Sequence, residues 1–308
     1  MKYDIDILIP AYKPQFFRQC LESAAAQTEA DNIIISDDCP TDEIYDIVKS
    51  FSDCRIQYHR NRPGLGLLQN HMKLVTLSHA KWLKFLDDDD YLTENCLQEL
   101  KACADSSEDT VIAFCDMKNI TTDGQIKPSY SNFSNVMTGE EYLFTHYLKA
   151  PITVFTKMLI RSDIMLNIIT HTDLPVNMIS LDELTGLLAI QSGSLTYTDK
   201  TCVYHRLNPA GFSKAVDAGL LYDDTSYITI PFMTMADAFP HRKADVESLY
   251  QTMLKKNFRG SYIKLLERNG KKDFYEFFKR CRMISPSAAY MALLNSRTVK
   301  KLIKNIFR

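Results

Sequence analysis

Glycine and proline are scarce, ten and eleven in 308 residues. No low-complexity tract or repeat period accompanies them, which excludes collagen-like, linker-rich and solenoid chains. No apolar run reaches the roughly 18 residues that span a bilayer. The eight cysteines, at 20, 39, 54, 96, 103, 115, 202 and 281, form no Cys-x-x-Cys pairs, which argues against a zinc site. With no secretory leader apparent, they read as reduced thiols in a cytoplasmic protein, and the Asn-x-Ser/Thr matches at Asn119 and Asn132 as chance. Net charge is nearly absent too, at −2. That mean hides a split: from His241 onward there are 17 Lys/Arg against 5 Asp/Glu (+12), and before it 19 against 33 (−14). A basic tail on an acidic body suggests an acidic partner, a membrane surface or nucleic acid. No nucleic-acid recognition module is visible, so nucleic acid is not expected.

What is present is enough apolar residue (45%) for a sizeable core. Strand-like and helix-like patterns alternate over the first hundred residues. Asp4–Ile9 reads as a strand stopped by Pro10, followed by a helical face of Phe16, Phe17, Cys20, Leu21, Ala24 and Ala25. Asn32–Ser36, Arg55–His59, Trp82–Leu86 and Val111–Cys115 read as further strands, with helices between them and Thr93 as cap of the helix after the fourth. Residues 120–215 are less regular, with helices near 139–149 and 181–192 and strands near 152–160 and 195–206. From about 216 the pattern is helical, Pro286 starting or breaking a helix. Strict alternation predicts an α/β fold with a mostly parallel sheet covered on both faces. Ligands of such sheets bind beyond the carboxyl ends of the strands. Polar clusters follow three of them: Ala11-Tyr12-Lys13, Asp37-Asp38, and Asp87-Asp88-Asp89-Asp90.

The four aspartates repel one another, and near a sheet rim some of their pKa values should rise unless a cation is present. In extended chain Asp87 and Asp89 share one side and Asp88 points away. Carboxylates two apart suit a hard cation such as Mn²⁺ or Mg²⁺ shared with substrate phosphates.

Residues 4 to 215 resemble family 2 of the glycosyltransferases, whose nucleotide-sugar domain is called GT-A. The resemblance rests on Ile7-Leu8-Ile9-Pro10-Ala11-Tyr12, on Leu21-Glu22-Ser23 with Gln27-Thr28, and on Ile34-Ile35-Ser36-Asp37-Asp38 with Thr41-Asp42. Asn61, Gly64 and Asn70 fit its next motif, and Phe85-Leu86-Asp87-Asp88-Asp89-Asp90 is similar to its Asp-x-Asp stretch. It implies a GT-A type mixed sheet flanked by helices, with a C-terminal helical extension. Residues 1–118 would be the nucleotide-sugar-binding half, 119–215 the acceptor-binding half and 216–308 a helical, basic region. Tyr12 would lie against the nucleotide base, with Pro10 and Ala11 shaping that loop. Asp38 or Asp37 would accept from the base N–H, and Asn70 would join the donor site. Asp87 would meet ribose or a metal-bound water, with Asp88 beside it as the expendable member. Asp89 is the first metal ligand, Asp90 assisting. Departures are Cys39-Pro40, where the family usually has Gly-Ser, Gln69, where an Arg often stands, and about two extra residues between Asn70 and Trp82.

The resemblance also implies a general base in a Glu-Asp pair opening a helix about a hundred residues further on. Leu181-Asp182-Glu183-Leu184 occupies that place, Asp182 aligning best and Glu183 being the alternative. Val203-Tyr204-His205-Arg206, with Asn208 and Ser213, resembles the family's Tyr-Arg segment, where Arg206 would pair with phosphate and His205 would bind metal or pyrophosphate. The implied activity is inverting transfer from a nucleotide sugar, UDP-sugar favoured, to a glycan or lipid-linked acceptor, for polysaccharide or glycoconjugate synthesis. A non-catalytic nucleotide-sugar-binding or scaffold subunit is the alternative. A sugar-1-phosphate nucleotidylyltransferase should carry a glycine-rich loop after the first strand, and Pro10–Gln15 holds no glycine. In the tail, Val299, Leu302, Ile303, Ile306 and Phe307 share a helical face with basic residues largely off it. That suits either an anionic membrane surface, making the enzyme peripheral at the inner face, or packing on the main domain.

Overall fold

The computed structural model describes residues 3–129, 133–152, 154–174, 178–207, 227, 229–268 and 271–294. Asn208, Ser213 and the amphipathic run from Val299 lie outside them. The chain divides into two units, Met1–Val176 with Leu181–Pro209, and Asn177–Ser180 with Ala210–Arg308.

The first unit is built on one mixed sheet. Its strands are β1 (Ile5–Ala11), β2 (Asn32–Asp37), β3 (Ile56–Arg60), β4 (Trp82–Phe85), β5 (Tyr91–Leu92), β6 (Thr110–Ile120), β7 (Ile126–Ser129), β8 (Val136–Thr138), β9 (Met158–Arg161) and β10 (Ser194–Arg206). They lie in the order β3-β2-β1-β4-β9-β6-β10-β5, with β7 beside β6 and β8 beside β10. The run β3-β2-β1-β4 is parallel, β9 is antiparallel to both neighbours, and β10 is again parallel to β6. The helices are α1 (Phe17–Ala25), α2 (Glu43–Lys49), α3 (Leu67–Leu77), α4 (Cys96–Ala104), α5 (Gly139–Glu141, continuing as a π-turn through Tyr142–His146), α6 (Ser162–His171) and α7 (Leu181–Ala189). Strand β1 is buried along its whole length. Ile5, Ile7 and Ile9 pack with Phe17, Leu21, Ile33, Ile35 and Leu97 on one face of the sheet. That is the doubly covered sheet expected of α/β alternation.

Two details differ from expectation. Pro10 does not stop β1; it pairs with Ser36 inside the sheet. Leu8 O accepts from Leu86 N, so even-numbered residues of β1 face β4, and that pairing ends at Leu8–Phe85. The missing N–H of Pro10 thus points where β4 has already turned away. Thr93 does not cap α4: its hydroxyl donates to Cys202 O (3.4 Å), while Leu97 N donates to Gln27 Oε1 (3.0 Å). The buried Gln27 amide also donates to Thr93 O (2.8 Å), and so ties α1 to the start of α4. Strand β6 is long, spanning Thr110–Ile120.

The second unit contains α8 (Thr229–Ala238), α9 (Lys243–Arg268), α10 (Lys271–Ile284) and α11 (Pro286–Leu293). Its own core joins Leu254, Phe258, Tyr262, Leu265, Phe274, Phe277 and Ala289. Pro286 starts α11 as N1, and the Ser285 hydroxyl caps it through Ala288 N (3.3 Å).

A Cβ at Gly139 would stand 1.8 Å from Ile190 O, whereas one at Gly260, inside α9, meets nothing within 4 Å. Gly139→Ala should therefore cost about 1–3 kcal/mol, and Gly260→Ala should gain about 0.5–1 kcal/mol. Thermal unfolding of the two variants checks this; equal midpoints would contradict it.

Candidate active site

The parallel strands β2, β1 and β4 end side by side, and so bring the three polar clusters to one rim. Asp38 N donates to Ala11 O (2.8 Å), which joins the first two. The Asp88 carboxylate joins the third: Oδ2 accepts from both Tyr12 N and Lys13 N at 2.7 Å. Asp88 is therefore not the expendable member of the run; it fixes the loop after β1. With its backbone held there, the Tyr12 ring stays 57% exposed, a flat surface open at the rim.

The run itself is not extended. Asp90 N donates to Asp87 O (3.0 Å), closing a turn. Asp88 and Asp90 are buried by it, while Asp87 and Asp89 stay half-buried. The expected strand alternation of Asp87 and Asp89 is therefore replaced by a turn in which both are half-buried. Asp90 is held from the other flank: Oδ1 accepts from Arg206 N (2.8 Å), and Oδ2 is bound to His205 Nδ1 (3.0 Å). The end of β10 is thereby latched to the acidic turn.

Burial pushes the Asp87 carboxyl up to about 7, helped by the charges of Asp90 and Asp89 and opposed by His205. Burial pushes Asp88 to about 7 as well, although its two N–H donors pull the other way. Burial alone would lower His205; its bond to Asp90 and the charges of Asp90, Asp87 and Asp89 outweigh that and raise it to about 9. Burial, reinforced by crowded acidic charge, thus makes the folded site hold protons tightly.

Arg206 reaches across to α1. Its guanidinium lies over the Phe16 ring (4.1 Å) and the Tyr91 ring (5.6 Å), and Nη2 donates to Gln19 Oε1. Tyr91 stacks in turn on Tyr204 (4.5 Å, 7°). The Arg206 Nε is buried without a hydrogen-bond partner among the described residues.

On the other side, Asp37 and Asp38 are built into the loops. Asp37 accepts from Cys39 N (2.7 Å) and from the Tyr58 hydroxyl (2.5 Å). Asp38 accepts from Leu65 N (3.0 Å), Gly66 N (2.8 Å) and Asn61 Nδ2 (2.7 Å), so it shapes the Gly/Pro loop between β3 and α3. Asn70 is buried beneath them, donating to Ser36 O (3.0 Å) and accepting from Asn61 (3.3 Å). Its amide supports the rim from below.

Asp182 opens α7, where Oδ1 accepts from Glu183 N (2.8 Å). The next carboxylate, Glu183, is bound by the Tyr147 hydroxyl, which follows the π-turn. The short 3₁₀ turn Phe155–Lys157 connects this side to the acidic turn. Thr156 Oγ1 donates to Asp87 Oδ2 (3.4 Å), its carbonyl takes the fully buried Lys84 ammonium, and the charges of Asp116 and Asp182 act on Lys157 beside it. Sequence reasoning missed Lys84, Thr156, Lys157 and Asp116. A lysine within an otherwise apolar strand was the one available signal for Lys84.

The family model "Glycosyl transferase family 2" matches residues 6–168. The chain belongs to this family. A glycosyl transferase family 2 assignment agrees with the curated relative it matches, the UDP-Glc:alpha-D-GlcNAc-diphosphoundecaprenol beta-1,3-glucosyltransferase WfaP of Escherichia coli. Identity there is 33% over 89 residues, 28% of this chain and 36% of the relative, so only about a third of that enzyme's length is spanned. S. aureus TarS 1–349 shares the fold, with TM-score 0.70 at 15% identity over 98% of this chain and 89% of that one. Its complex with UDP superposes equally well. The UDP-GlcNAc complex gives 0.60 at 13% identity, covering 94% and 91%. The GT-A type sheet and the helical C-terminal region expected from sequence are present.

The raised carboxyls set a pH dependence. Asp87 is raised from 3.8 to about 7, so the folded chain binds its proton more tightly than the unfolded chain does, and stability falls as pH rises through that window. Asp87→Asn removes this loss. In EDTA the variant should equal wild type near pH 4 and exceed it by about 1–3 kcal/mol at pH 8, a discounted conversion of the shift. A pH-independent difference in urea unfolding would contradict it.

Proposed function

We propose that this family 2 chain is an inverting glycosyltransferase that moves a sugar from a UDP-sugar to a hydroxyl of a glycan or lipid-linked acceptor with a divalent metal. The observation that carries the reading is the acidic turn, clamped by Asp88 to the Tyr12 loop and by Asp90 to His205 and Arg206. An exposed ring and a cationic strand end are thereby held around one set of carboxylates. Tyr12 would stack the base. The unpartnered Nε of Arg206 suits a phosphate oxygen, which would satisfy an otherwise costly buried N–H. The names of the relatives support the choice of donor: WfaP is a UDP-Glc transferase, and TarS was crystallised with UDP and UDP-GlcNAc.

The donor set fits Mn²⁺ or Mg²⁺. Asp87 and Asp89, the half-buried members of the run, would supply hard oxygens, with His205, its Nδ1 bonded to Asp90, close by. Among the described residues no three His, Cys, Asp or Glu side chains make a cage, so phosphate oxygens would complete the shell, as is usual for Mg²⁺ with nucleotides. When bound, the ion would neutralise charge developing on the leaving diphosphate. Asp90 then serves through His205 instead of as a direct ligand. Asp182 would take the acceptor proton as the hydroxyl attacks the anomeric carbon from the face opposite UDP. Glu183, engaged by Tyr147, is the poorer candidate. The basic sequence beyond the described helices keeps the expected membrane-peripheral placement as part of this proposal, and no described helix is long and apolar enough to cross a membrane.

Two variants test the reading. Asp89→Ala should remove the Mn²⁺-dependent part of UDP binding, read by thermal shift with UDP, GDP, CDP and dTDP in parallel; undiminished binding would refute the metal assignment. Asp182→Asn should keep UDP-sugar binding and lose transfer about 10²-fold or more. Full transfer in that variant would remove Asp182 as base, and donor binding without turnover in wild type would favour a non-catalytic subunit.

A further inference from the structure

Helix α11 is apolar on two opposite faces. Ala288, Ala289 and Ala292 point inward and are 0–2% exposed, packed in the core of the second unit. Tyr290, Met291 and Leu294 share the opposite face and are 48%, 52% and 72% exposed. Met283, at the end of α10, is 79% exposed. A surface helix ordinarily turns charged or polar residues to water, yet the run from Met283 to Ser296 contains no charged side chain. Arginines bracket it: Arg282 and Arg297. The Arg282 guanidinium lies 5.5 Å from the Tyr290 ring, which puts a cation at the edge of the exposed apolar face. Exposed Lys279 and Arg280 lie on the preceding turn of α10, with Glu276 the acidic residue nearest them in sequence. From Arg297 to the end the sequence holds Lys300, Lys301, Lys304 and Arg308 and no acid.

We propose that the outward face of α11, with Met283 and Arg282, is a docking surface for an anionic lipid bilayer. Apolar side chains rimmed by cations match acyl chains beneath anionic headgroups, and this pairing of hydrophobic and positive surface is what interfacial segments use. The charge bias selects this occupant over a second copy of the chain, whose matching face would carry the same positive rim. The surface precedes the basic terminal run and stands whether or not the chain transfers sugar. It makes the α10–α11 corner, and not the terminal run alone, the point of attachment.

The test uses the full chain and sedimentation with vesicles of phosphatidylcholine alone or of phosphatidylcholine with a minor share of phosphatidylglycerol, whose negative surface attracts basic segments. Wild type should partition to the anionic vesicles and lose binding as salt rises. Met291→Glu with Leu294→Glu should weaken partitioning at least about tenfold, with helix content and UDP-induced thermal shift unchanged. Arg282→Ala should weaken it less and flatten the salt dependence. Unchanged partitioning of the double variant, or no vesicle binding by wild type, overturns the proposal. A wild-type dimer in sedimentation velocity that the double variant converts to monomer also overturns it, by assigning the face to a second copy. Loss of the UDP shift in wild type would refute the donor reading and leave this surface untouched.

Discussion

The site depends on one buried carboxylate. Asp88 takes two backbone N–H groups from the loop after β1 on a single oxygen, and so makes the ends of β1 and β4 one rigid piece. A buried carboxylate is costly unless it is hydrogen-bonded to this degree. The geometry of that bond decides where Tyr12 points, and the turn that buries Asp88 also decides which of its neighbours remain available. Asp90 repeats the device toward β10, with one oxygen for Arg206 N and one for His205. Two carboxylates thus serve as fasteners so that two others can face the rim.

This arrangement concentrates negative charge where ordinary packing would disperse it. Burial and mutual repulsion raise Asp87 and Asp88 to about 7, and His205 is drawn up to about 9 by the same field. A fold tolerates such a site when a ligand relieves it, and functional sites are where perturbed groups gather. The aromatic stack of Phe16, Arg206, Tyr91 and Tyr204 holds the guanidinium at the end of β10 across this field, with no carboxylate partner among the described residues. A direct salt bridge would have neutralised Arg206; rings and Gln19 hold it while leaving its charge unspent.

Local patterns explain how much of this could be read from sequence. The strands β1, β2, β4 and β6 are each built on a short, mostly apolar run, so their existence and the convergence of their ends were legible. Pro10 misled because its effect depends on which side β4 leaves β1, a tertiary fact. Thr93 misled because a residue seventy positions from Leu97, Gln27, supplies the cap. The helix α6 and the strands β7 and β8 fell in the irregular middle and left no periodic trace strong enough to read. The inversion of Asp88 from expendable to structural has the same origin: alternation along a strand was assumed where a hydrogen-bonded turn exists.

The departures from the family pattern acquire a physical sense from the same network. Cys39 stands where glycine is usual, and its N–H is anchored on Asp37, which also holds Tyr58. Asn61, Asn70 and Asp38 form a closed buried set that carries the Gly/Pro loop, with Lys73 Nζ donating to Asn61 Oδ1 at 2.6 Å. A cation therefore still reaches this corner from α3, although Gln69 lacks one. Lys73 lies four residues along the helix from Gln69, about one turn, and so brings its ammonium to the same buried set.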